Sequence, residues 1–370
     1  MTQFPAVDPI PLPAPIWLLK LLHIVTLSLH FVAVEMLLGG LLLAVVFSLF
    51  RDSAESLVVA RSLARRLTVV MTFVINLGVP PLLFAQVLYG RALYTSSVLI
   101  GLYWISIIGL LTLAYWLLYR FSALLEAGKT AWYVGLSSWL LCGAVARILS
   151  TNMTLMLRPE DWLKLYSASA AGAYLPTGDP TLTPRWLLFL AGGFVFGGLW
   201  MVYLAGRSTF SGAEKRFLAG VGGKLAVGFG AVYLAAGVWA ANVQPEIVKT
   251  GLHTHPLYKW FGLGAYGWLL SVVLILAVGA LAGFGRITAG WLGWLGAGVG
   301  FLALASLTVY RDAVRDLSLL AKGYDVWDRA VATNWSVVGL FLVLFVAGLG
   351  VVGWLVSVVA RARKVMESAA

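Results

Sequence analysis

Nine runs of about twenty mostly apolar residues recur along this chain, joined by short connections that carry most of its charge. Each run is long enough to cross about 30 Å of hydrocarbon as an α-helix. Of the 370 residues, 61% are hydrophobic and 11% charged, where a soluble domain carries roughly 25% charged residues. No stretch is left over for a soluble domain. The chain reads as an all-α, polytopic integral membrane bundle of about nine transmembrane helices, near 17–50, 67–90, 97–120, 131–150, 185–206, 217–242, 261–285, 287–310 and 335–360. It divides into a Pro-rich arm over 1–16, a single membrane domain over 17–360 and a basic cytoplasmic tail over 361–370.

The arm holds Pro5, Pro9, Pro11, Pro13 and Pro15, a pattern that favours an extended, polyproline-like course. It lacks a basic start and leads into a span too long for a cleaved leader. The second span holds Pro80-Pro81, and a proline inside a helix removes a backbone donor and kinks it.

The net charge of +11 sits on the connections, where topology places lysine and arginine. It is therefore no footprint of nucleic acid. With the amino terminus outside, inner segments hold thirteen Lys and Arg, led by Arg51, Arg61, Arg65 and Arg66, and outer segments hold ten. That bias sets the amino terminus outside and the carboxyl terminus in. The single cysteine, Cys142, excludes a disulfide within the chain. The sequence has no Cys-x-x-Cys-His for a covalent c-type haem.

Four histidines are present, and the topology puts all of them toward the outer side. His23 and His30 are seven residues apart in the first span, on one helix face and roughly 10 Å apart along the axis. Ionisable groups in lipid are costly and mark function by default. Neutral imidazole is the usual axial ligand of a b-type haem, so His23 and His30 are the candidate metal ligands. They are two turns apart and cannot share one iron from one helix. Met153, Met156, Met201, His253 and His255 are the other side chains able to complete a coordination sphere. The bland alternative for each imidazole is an interhelical hydrogen bond.

Glu35 is the carboxylate set deep in the first span, with Lys224 and Arg147 as matching buried cations. A carboxyl in lipid stays neutral unless paired, which suits a proton relay or a quinol hydroxyl. Asn76 and Gln86 flank Pro80-Pro81 and either satisfy freed carbonyls or line a cavity. Glu35 and Gln86 are therefore the candidate catalytic groups. The segment Tyr310-Arg311-Asp312-Ala-Val-Arg315-Asp316 reads as the start of a solvated outer helix. Arg311 and Arg315 would alternatively hold haem propionates or a quinone head group.

The first span, with His30-Phe31-Val32 followed by Gly39-Gly40, is similar to the opening of the large haem-binding subunit of cytochrome bd-type quinol oxidases. The later Phe73-Val-Ile-Asn76-Leu-Gly78-Val79 with Gln86 and Gly90 resembles that family too. Arg311 to Asp316, followed by Asn334-Trp335-Ser336 and a last span, resembles bd-like membrane proteins encoded beside multihaem cytochromes. The resemblance implies a bundle of nine helices with the amino terminus outside and a haem ligand at His30 or His23. The chain departs from the family in having no mid-chain His or Met ligand in a matching span and no long quinol-binding loop with its Gly-Arg-Gln-Pro-Trp motif.

The expectation is a multi-pass subunit of a respiratory or photosynthetic electron-transfer complex in a bacterial inner membrane. It would hold one b-haem and pass electrons between the quinone pool and a periplasmic cytochrome c, beside other membrane and periplasmic subunits. Two rivals stand: a cofactor-free anchor or assembly subunit, and a transporter, for which no inverted repeat is evident.

Overall fold

A computed structural model describes residues 4–5, 10–50, 53–176 and 178–368, with side chains described to residue 354 and at Val358 except at 352. Pro9, Arg51 and the end of the basic tail lie outside them. Among the described residues twelve α-helices form: α1 (Ile16–Phe50), α2 (Ala54–Leu99), α3 (Gly101–Glu126), α4 (Trp132–Leu155), α5 (Trp162–Ala168), α6 (Leu182–Ala205), α7 (Gly212–Asn242), α8 (Glu246–Thr254), α9 (Tyr258–Gly262), α10 (Gly264–Gly283), α11 (Gly290–Leu320) and α12 (Trp335–Ser368). Among the described residues eight helical segments are long and apolar enough to cross a membrane, and α12 adds a shorter apolar stretch, Trp335–Val351. The chain is a polytopic helical membrane protein.

The backbone divides into two units, Met1–Ala6 with Leu21–Val326, and Val7–Lys20 with Trp327–Ala370. In the second, the Pro-rich segment runs beside the extended stretch that precedes α12, with Leu12 bridged to Val331. Leu12 N–H donates to Ala330 O at 2.8 Å, and Ala332 N–H donates to Leu12 O at 2.9 Å. Prolines have no N–H, yet their carbonyls still accept: Asn334 N–H reaches Pro13 O at 3.2 Å. Asn334 Oδ1 then accepts the Val337 N–H at 3.2 Å and caps α12.

In the first unit, α6 is buried along most of its length and packs on α7 and α11. Small residues make this possible, because lipid supplies no hydrophobic drive between helices and close backbone contact must replace it. At the crossing of α1 and α6, a Cβ on Gly39 would collide with the Gly193 carbonyl. Around it lies an apolar core that includes Leu41, Leu67, Met71, Val195, Met201, Val272 and Ala303.

Three details differ from the sequence reading. Lys224 is exposed on α7, because the same helix turns Gly222, Gly223 and Ala226 inward. Arg147 is half-buried and donates to Thr151 Oγ1 at 2.9 Å. In α2 the dihedrals turn non-helical at Tyr89 (φ −122°, ψ 18°), not at the two prolines. Asn76 Nδ2 donates to Thr72 O at 2.8 Å, so the amide serves the backbone near the prolines, one of the two roles foreseen for it.

Candidate functional site: a buried charged network on α1, α2, α9 and α11

The segment 310–316 does not begin a solvated helix. It lies in the last third of α11, and Asp312, Arg315 and Asp316 are buried there. Their spacing of three and four residues sets all three on one face. Arg315 pairs with Asp312, and its guanidinium lies 4.1 Å from the centroid of the Tyr89 ring. The Tyr89 hydroxyl donates to Asp316 Oδ1 at 2.9 Å and to Asp312 Oδ1 at 3.3 Å. Tyr258 on α9 donates to Asp316 Oδ2 at 3.1 Å. Buried ions persist only when paired and hydrogen-bonded in this way.

His23 closes the network from α1. Its Nδ1 lies 3.0 Å from Pro81 O, and its Nε2 lies 3.1 Å from Arg315 Nη1. A carbonyl oxygen only accepts, so Nδ1 carries the proton and Nε2 offers its lone pair to the guanidinium. The proline pair thus positions an acceptor for the imidazole. His255 connects through its neighbour: its ring packs 4.6 Å from that of Tyr258, and its Nδ1 accepts the Leu257 N–H at 3.3 Å.

His30 is separate. A Cβ on Gly78 would lie 2.9 Å from its Cε1, so the imidazole rests flush on α2. Its Nδ1 is buried without a hydrogen-bond partner. Arg311 lies with its guanidinium 5.3 Å from the Phe31 ring centroid. Glu35 faces α6, where Gly192 makes room for its carboxyl. Gln86 is half-buried on α2, beyond the His23–Pro81 contact from Glu35. His253 is exposed on α8.

Of the expected site residues, then, His23 and Arg315 meet directly, with His255 one residue contact away. His30, Arg311, Glu35, Gln86 and His253 do not join them. Asp312, Asp316, Tyr89 and Tyr258 were the members not foreseen as site residues. The signal available was an i, i+3, i+4 charged set among Ala313, Val314 and Leu317 on an otherwise apolar helix.

A haem fits this arrangement poorly at His23, whose two nitrogens are both engaged. His30 has a buried ring nitrogen without a hydrogen-bond partner, but its ring is pressed against Gly78. Among the described residues, no group of three or more His, Cys, Asp or Glu is placed to hold a metal ion.

No protein-family model matches the sequence, and no curated protein matches it. Among solved structures, the chain is similar to one chain of the bd oxidase from Geobacillus thermodenitrificans, with a TM-score of 0.62 and 12% sequence identity, over 91% of this chain and 96% of that one. This chain therefore shares the fold of that bd oxidase chain over 91% of its length.

Proposed function

We propose that the chain is a multi-pass subunit of a bd-like respiratory complex in a bacterial cytoplasmic membrane. With partner subunits it links the quinone pool to a periplasmic cytochrome c. The supporting observation is the near end-to-end alignment with a bd oxidase chain. In this reading His23, Arg315, Asp312, Asp316 and Tyr89 form the polar joint that fixes α1, α2 and α11, and His23 carries no iron. Arg311, Gln86 and Glu35 are the groups left to meet quinol. Isolation of the tagged chain in mild detergent should bring down a haem-bearing membrane partner and quinol-driven cytochrome c reduction. A chain that isolates alone, and whose deletion leaves quinol-linked turnover unchanged, overturns the reading.

A second reading, in which this chain itself holds one b-haem, rests on the orphaned Nδ1 of His30. Reduced-minus-oxidised spectra decide it. A b-type band in the isolated chain that disappears in His30→Ala supports the haem, and a featureless spectrum removes it.

A further inference from the structure

The exposed face of α2 repeats every seven residues through the middle of its span. Val69, Thr72, Asn76, Val79 and Leu83 are all exposed, at intervals of three, four, three and four residues. That is the period of a two-stranded helical seam. Most of the set suits hydrocarbon: Val69 is 53% exposed, Val79 51% and Leu83 53%. Thr72 is satisfied within the chain, because its hydroxyl lies 2.6 Å from that of Tyr115 on α3. Asn76 is not. Its Nδ2 donates to Thr72 O at 2.8 Å, which fixes the orientation of the amide, since a carbonyl oxygen only accepts. No hydrogen bond among the described residues reaches its Oδ1.

Lipid holds no water to take up that oxygen or the second N–H of Nδ2. An asparagine exposed near the middle of the second expected span, 67–90, is therefore stabilised by a polar group on another helix. The free donor and free acceptor make the amide self-complementary, so the partner that matches Asn76 best is another Asn76. A two-fold axis along the membrane normal provides one. It sets identical helices side by side, parallel and at one depth, and the same patch of both copies meets itself. A single Asn in an otherwise apolar seam fixes register and pairing in the same way, and β-branched residues such as Val69 in that seam favour two strands. Valine is also stiff at χ1 in a helix, so it loses little freedom on packing.

We propose that this face of α2 is a homodimer seam: a second copy of the chain docks on it in parallel, and the two Asn76 amides hydrogen-bond across the two-fold axis. The pairing is independent of any quinone-linked role.

Disulfide cross-linking of the full chain in membranes tests this, with two differently tagged copies co-expressed and the buried Cys142 removed by Cys142→Ala. Val69→Cys and Val79→Cys should each give a species of twice the chain's mass that carries both tags. Leu270→Cys, at a position 63% exposed on α10, should give none. Asn76→Val should raise the dimer dissociation constant in dilute bilayers roughly threefold to thirtyfold, the range for one interhelical hydrogen bond in lipid, as read by single-molecule photobleaching. No cross-link at either valine overturns the proposal, as does a cross-link to a chain of different mass or equal cross-linking from α2 and α10. So does an Asn76→Val dimer as tight as the wild type. Should Asn76→Val fail to insert, the two valine sites still decide, because they leave the amide in place.

Discussion

His23 Nε2 and Arg315 Nη1 meet at 3.1 Å across 292 residues of sequence. The contact ties the first membrane helix to the last third of α11, and it consumes the lone pair an iron would need. One imidazole thus serves packing where the sequence offered two ligands.

Arg315→Gln should be strongly destabilising, because it leaves Asp312 and Asp316 in an apolar setting without the guanidinium. Breaking a buried pair from one side costs about 3–5 kcal/mol. Unfolding in mixed micelles measures it, and a loss below about 1 kcal/mol would show the network to be well solvated.

His23→Phe should cost about 1–3 kcal/mol, since the Pro81 carbonyl loses a donor and Arg315 an acceptor. Any haem absorbance of the preparation should be unchanged. A spectrum that collapses in this variant while stability holds would place iron on His23.

Gly39→Ala should weaken the α1–α6 crossing by about 1–3 kcal/mol or more, as overpacking does, because its Cβ would meet the Gly193 carbonyl. Gly143→Ala is the control, with nothing within 4 Å of its Cβ. Equal yields and equal thermal midpoints for the two variants would contradict the close crossing.

Thr254→Cys reports topology. The bias of lysine and arginine puts the α8 end outside, and Thr254 is exposed. A membrane-impermeant maleimide should label it in intact cells; labelling only after permeabilisation inverts the orientation.

The helical plan was legible because a span length is a count of apolar residues, and lipid enforces it: the expected second span falls inside α2, and the fourth and fifth overrun α4 and α6 by a single residue each. The charged network was not, for a reason visible in Asp312 and Asp316. A charged i, i+3, i+4 set looks the same on paper whether it meets water or a tyrosine 227 residues away, and composition cannot tell the two apart. His30 and Glu35 fared better as a pair, since their five-residue offset already separated their faces, and the chain does send one to α2 and the other to α6.

Helix α2 has 46 residues, about 69 Å at a rise of 1.5 Å each, roughly twice the depth of a bilayer's hydrocarbon. Its dihedrals break at Tyr89, the same residue whose hydroxyl is clamped by two aspartates. The break and the clamp thus coincide: the aspartates that hold the Tyr89 hydroxyl also hold the point at which α2 leaves its helical path, and the packed segment 90–99 beyond it, with Leu93 and Ser96 buried, takes its direction from that joint.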